Sequence, residues 1–69
     1  MPSRCYKLIE IVGTSPESSD QAIRNAIEKA SKTHEHLDWF QVIETRGHIV
    51  DGKVAHFQVV LKVGFRLED

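Results

Sequence analysis

The chain has one cysteine, Cys5. A lone thiol cannot close an intrachain disulfide, and it cannot supply the several thiolates of a zinc ribbon. Such scarcity fits a reducing compartment, and a cytoplasmic location is expected. No apolar stretch is long enough to cross a bilayer, and Met1-Pro2-Ser3-Arg4 opens no secretory h-region. Charge of one sign is missing too. Nine Lys and Arg stand against ten Asp and Glu, a formal net charge of −1, so nothing drives the whole chain toward nucleic acid or anionic lipid. Repeats, linkers and low-complexity segments are absent, and residues 1–69 read as a single domain. The chain also lacks bulk. At 69 residues, one core rarely supplies more than about 3–5 kcal/mol. With disulfide and zinc gone, association with further subunits is the remaining source of stability.

What is present is patterned. Tyr6-Lys7-Leu8-Ile9-Glu10-Ile11-Val12 is rich in β-formers and bounded by Gly13, which predicts a strand. Ser18 with Gln21 three residues on forms a capping box, and Thr14 with Glu17 is a second candidate. Ala22, Ile23, Ala26, Ile27 and Ala30 then recur at helical spacing, with His34 and Leu37 on the continuation. The stripe is narrow and built of small residues, suited to a helix lying close against a sheet on one side only. Trp39 to Arg46 predicts a second strand. Val50-Asp51-Gly52-Lys53 is a two-residue hairpin turn, with Asp-Gly supplying the positive φ of type I′. In the third strand Ala55, Phe57, Val59, Leu61, Val63, Phe65 and Leu67 point one way, and the intervening residues, mostly polar, point the other. The class is α+β, ordered β-α-β-β, with one helix on a three-stranded antiparallel sheet.

The hairpin also predicts a register. If Val50 pairs with Lys53 and the ladder runs unbroken, Trp39 lies opposite Gly64, Gln41 opposite Lys62 and Thr45 opposite Gln58. Phe40 and Val42 then meet Val63 and Leu61 on the core face. Slipping by one residue would bury Lys62 and Gln58, so the pattern opposes it. Trp39, Ile43 and Val60 fall on the bare face. Glu44 and Arg46 fall on the nominal core face, which requires that end to project past the helix or Gly47 to carry a bulge.

Trp39 admits two readings, an indole buried in an oligomer interface or a stacking platform for a flat aromatic ligand. Both require its face to be covered in an assembly. Gln58 carries an acceptor and a donor side by side, which matches an imide or pyrimidine edge, although a solvated strand residue would look the same. Arg46 can fork onto a phosphate or carboxylate, or form an intersubunit ion pair. Asp38 can cap the turn before Trp39 or line a ligand site. His34 and His36 are two residues apart, so on a helix their rings diverge. His48 and His56 lie on neighbouring strands but not directly opposite in the unbroken register. No zinc site is expected, and Cys5 has no activating partner beyond Arg4. G-x-G-x-x-G, G-x-S-x-G and H-E-x-x-H are all absent.

Gly13-Thr14-Ser15, Leu37-Asp38-Trp39-Phe40, Arg46-Gly47-His48, His56-Phe57-Gln58-Val59 and Val63-Gly64-Phe65-Arg66-Leu67-Glu68 together resemble the dodecins of bacterial type. The resemblance runs from about Tyr6 to Asp69, with every motif in order. It implies a β-α-β-β subunit, its sheet wrapped around the helix, that assembles into a hollow dodecamer of cubic symmetry. It implies flavins bound as stacked pairs between the tryptophans of two-fold-related subunits. Trp39 matches the family's stacking tryptophan, Gln58 its flavin-reading glutamine, Arg46 the arginine near the site and Asp38 the aspartate beside the tryptophan. FMN is the implied ligand, with riboflavin or FAD as alternatives. Coenzyme A is a further implied ligand, for which Lys7, Lys32 and Arg66 are the basic candidates. The implied role is flavin storage and sequestration, not catalysis.

Three other classes compete. A single-strand nucleic-acid binder would use Trp39 and Phe57, but the near-neutral charge and the inward position of Phe57 oppose it. A purely structural oligomer would use Trp39 for packing alone. An enzyme acting through the flavin would need a substrate pocket beside the ring, and a ring sandwiched on both faces leaves none.

Overall fold

In a computed structural model that describes residues 4–67, the elements are β1 (Tyr6–Ser15), α1 (Ser19–Ser31), β2 (Leu37–Val50) and β3 (Lys53–Arg66). They form a three-stranded antiparallel sheet in the order β1-β3-β2, so the last strand is central. Val59, Leu61 and Val63 from β3 meet Ala22 and Ala26 from α1 in the core.

The helix begins where the sequence predicts. Ser18 is extended (φ −165°, ψ 163°) and its hydroxyl accepts from the Gln21 N–H. The Gln21 side chain does not return to complete the box; it donates to Asn25 Oδ1 at 2.8 Å. The helix ends at Ser31, before His34 and Leu37. Ser31 Oγ donates to the Glu28 carbonyl and Thr33 Oγ1 to the Ala30 carbonyl, bonding the last turn to itself. His36 then takes a left-handed φ of 65°, and Leu37 opens β2.

The first strand runs past its expected end at Gly13 to Ser15. Gly13 does not stop it, because its role is contact with the helix. A Cβ there would collide with the Ala22 carbonyl oxygen and lie 2.8 Å from the Ala26 Cβ. Only glycine lets α1 lie this close. The second strand is also longer than predicted, reaching Val50. Asp51 (φ 52°) and Gly52 (φ 75°) make the expected hairpin turn.

The register agrees with the expectation at both ends of the β2–β3 ribbon and departs from it in the middle. Val50 faces Lys53, Trp39 faces Gly64, Phe40 faces Val63 and Val42 faces Leu61. Between Val42 and Glu44 the ladder shifts, so Ile43 is the extra residue and the bulge is not at Gly47. Thr45 therefore faces Val59, not Gln58, and Arg46 faces Gln58. A second shift between His48 and Ile49 restores the original register, with Ala55 as the extra residue on β3. The reason is the conflict visible in the pattern. An unbroken ladder would aim Glu44 and Arg46 at the apolar face, and one inserted residue turns them to the open face.

The helix packs chiefly on β1 and β3. Phe40 and Val42 share the helix side of the sheet, yet both are exposed, as are Ile43, Ile49, Val50 and Val54. The molecule measures 55 × 20 × 14 Å, too thin to cover this ribbon with its own chain.

Candidate functional site

The sheet face away from the helix is built in rungs. Leu8, Gly64 and Trp39 form one, Glu10, Lys62 and Gln41 the next, then Val12, Val60 and Glu44, then Thr14, Gln58 and Arg46. Strand alternation puts all of these side chains on the open side. Leu8, Val12 and Trp39 are exposed apolar groups within this face.

Trp39 is 43% exposed, and its indole lies over Gly64. A Cβ on Gly64 would overlap Cε2 and sit 2.8 Å from Nε1. The space left by the missing Gly64 side chain is the seat of the indole. Tyr6 braces it from β1, with ring centroids 6.4 Å apart and planes at 60°. Sequence reading did not single out Tyr6. The alternation Tyr6, Leu8, Glu10, Val12 put it on this face, but the pairing of β1 with β3 was needed to set it beside Trp39. Asp38 is exposed and is the extra residue of a further register shift, between Leu37 and Trp39. It directly precedes Trp39 at the start of β2.

Three rungs along, Arg46 Nε donates to Gln58 Oε1 at 2.9 Å. A guanidinium has no acceptor, so chemistry fixes which end of the amide faces it. Arg46 therefore holds the Gln58 oxygen and leaves the NH₂ donor for a ligand carbonyl. Arg46 Nη1 also lies 3.9 Å from Glu44 Oε1. The bulge at Ile43 creates this arrangement, because it carries Glu44 and Arg46 onto the face of Gln58. Indole, amide and guanidinium thus share one face of the sheet, where the unbroken register put Arg46 on the other. They offer an apolar plate at one rung and, six residues along β3 or roughly 20 Å away, a carbonyl donor with a cation. The two parts would therefore meet one planar heterocycle only across a subunit boundary.

The three basic residues considered for coenzyme A do not gather in one subunit. Lys7 pairs with Phe65 and points to the helix side. Arg66 pairs with Tyr6 on the open face and its Nη2 lies 3.3 Å from His36 Nδ1. Lys32 sits at the C-cap of α1. The histidines also stand differently from the expectation. His34 and His36 follow the helix instead of riding on it, and the His34 ring packs 5.3 Å from Phe65. His48 and His56 are directly opposite, with ring centroids 5.3 Å apart. Phe57 lies on the helix side, between Ser15 and Gly47, and cannot join Trp39 as a platform.

Comparison with known proteins gives one family. The Dodecin family model matches residues 5–68. Dodecin from Thermus thermophilus is 53% identical over 66 residues, covering 96% of each chain. Calcium dodecin from Mycobacterium tuberculosis is 31% identical over 62 residues, covering 90% of this chain and 87% of that one. Among solved structures, dodecin from Streptomyces davaonensis superposes with a TM-score of 0.94 at 56% identity, over 99% of this chain and 100% of the other.

Proposed function

This chain belongs to the dodecin family, and we propose that it binds flavins, FMN foremost, as a storage and sequestration protein. The observation that carries the reading is the half-exposed Trp39 indole seated over Gly64, on the same sheet face as the Gln58–Arg46 pair. The electron-rich indole stacks on an electron-poor isoalloxazine, and a two-fold-related subunit supplies the second indole of a sandwich. The Gln58–Arg46 rung lies six residues along β3 from Gly64, roughly 20 Å from the indole of the same chain. The Gln58 NH₂ therefore donates to the pyrimidine-dione edge, and Arg46 meets the anionic tail, of a flavin stacked on a neighbouring subunit's Trp39. Asp38 lines the rim beside Trp39. Close donor–acceptor contact quenches the excited flavin, and a ring covered on both faces leaves no room for a second reactant. Storage follows, rather than turnover. Lys7 and Arg66 face opposite sides of the sheet, so a coenzyme A site that used both with Lys32 would draw on more than one subunit.

Assembly is part of the same proposal. The core is small, and Phe40, Val42, Ile43, Ile49, Val50 and Val54 leave a bare apolar ribbon. A shell of twelve chains would cover it. Sedimentation should give no folded monomer at micromolar concentration; a stable species of one subunit mass would overturn the assembly. The flavin claim is tested by purifying the protein and releasing its pigment with acid. A yellow protein yielding FMN or riboflavin, or flavin-free protein that quenches added FMN to a stoichiometric plateau, supports the reading. A colourless protein that leaves FMN fluorescence unchanged overturns it. No helix among the described residues is long and apolar enough to cross a membrane.

A further inference from the structure

The two bulges do more than pair Arg46 with Gln58. They confine the shifted register to the stretch from Glu44 to His48, and its last rung sets His48 directly across from His56. Without the bulge at Ile43, His56 would face Gly47 and His48 would face Ala55. The pair lies on the open face, one rung beyond Arg46 and Gln58 on the side away from Trp39. In the single chain His48 is exposed and His56 half-buried. We propose that His48 and His56 form a two-imidazole chelate for a divalent transition ion of the zinc type.

The distance supports this. Imidazole nitrogens bind Zn²⁺ at roughly 2.0–2.1 Å in tetrahedral geometry, which places the two ring centroids about 5.2 Å apart. The observed separation is 5.3 Å, with the planes 22° apart. A chelate would require rotation about χ2, which turns the ring nitrogens while leaving each centroid nearly in place. The neighbouring cation is directed elsewhere. Arg46 donates to Gln58 and leans toward Glu44, whose carboxylate offsets its charge. Among the described residues no third His, Cys, Asp or Glu completes a larger cluster. The remaining positions on the ion then belong to water, and the donor set, two neutral nitrogens without carboxylate, selects Zn²⁺, Ni²⁺ or Cu²⁺ over Ca²⁺ and Mg²⁺.

The test uses the assembled, flavin-free, tag-free protein titrated with ZnCl₂ by calorimetry. The expected result is one ion per chain, undisturbed by a large excess of MgCl₂. His48→Gln and His56→Gln should each weaken Zn²⁺ by at least about tenfold, since loss of even an outer-shell partner costs that much. The double substitution should add little to either single one, because the pair acts as a unit. Zn²⁺ should raise the thermal midpoint of the wild type and not of the variants, while all share one midpoint without metal. Absence of Zn²⁺ binding by the wild type overturns the proposal. So does a single variant that binds within about twofold of wild type, which would assign the ion to other groups such as His34, His36 or Cys5. The flavin reading is untouched by either outcome, because no flavin is present.

Discussion

The two ends of the binding surface are built on opposite principles. At the Trp39–Gly64 rung the ladder is the one the hairpin turn dictates, and the chemistry comes from an absent side chain. Gly64 has no Cβ, so the indole has a seat. At the Arg46–Gln58 rung both side chains are long and polar, and what matters is an extra backbone residue. Ile43 interrupts the ladder and swings Arg46 from the helix side to the open side. One half of the surface is made by deleting atoms from a regular strand, the other by adding a residue to it. The first half supplies an apolar plate that any flat ring can use, and the second supplies directional polar groups that choose among rings.

That contrast can be broken most forcefully at Gly64. Gly64→Ala puts a methyl where Cε2 of the indole now lies, so the plate must move while the sheet stays paired. Flavin affinity should fall roughly 5- to 160-fold, the range of one stacking contact worth about 1–3 kcal/mol, with riboflavin and FMN losing alike. Fluorescence titration, with a thermal melt to verify the fold, checks it. Undiminished binding would mean that the indole has no fixed seat.

A smaller and more selective loss is expected at the other rung. Gln58→Glu removes the NH₂ donor and sets a charge against ligand carbonyls, while Arg46 still holds the side chain. Loss of one hydrogen bond, about 0.5–1.5 kcal/mol, should weaken every flavin about two- to tenfold, whether or not it carries phosphate. If affinity for riboflavin were unchanged in a competition titration, the amide would not be reading the ring.

The smallest effect belongs to Arg46→Ala. The guanidinium is exposed, so a contact with phosphate is worth about 0.2–1 kcal/mol and is screened by salt. FMN should weaken by up to about fivefold relative to riboflavin, and the gap should close as ionic strength rises. Equal losses for both ligands would make Arg46 a positioning residue for Gln58 rather than a reader of the tail.

The same contrast explains how far the sequence could be read. The turn at Asp51-Gly52 and the alternation of β3 carry strong local signals, and they correctly set Trp39 opposite Gly64 and the core on Val59, Leu61 and Val63. A bulge carries no such signal. Ile43 is β-branched and looks like any strand residue. The only trace of the shift is the misfit of Glu44 and Arg46 with the apolar face. That misfit left two explanations, an end projecting past the helix or a bulge at Gly47, and the bulge falls instead at Ile43. The facing of Arg46 with Gln58 and of His48 with His56 was therefore hidden, because both depend on where the extra residue falls. The end of α1 was obscured in another way. The apolar stripe continues in phase through His34 and Leu37, but hydroxyl bonds from Ser31 and Thr33 close the helix first. Tyr6 needed the β1–β3 pairing, a contact between opposite ends of the chain that no local pattern encodes.

The central claim is that the flavin stacks on Trp39, and the most direct measurement is FMN fluorescence titrated in parallel with wild-type protein and with Trp39→Ala. Wild type should quench steeply to a plateau at one flavin per chain. The alanine variant should remain assembled and lose most of its quenching, because each sandwiched pair forfeits two stacking contacts of about 1–3 kcal/mol each. An alanine variant that quenches as deeply and as tightly as wild type would contradict the account and leave the indole as interface packing alone.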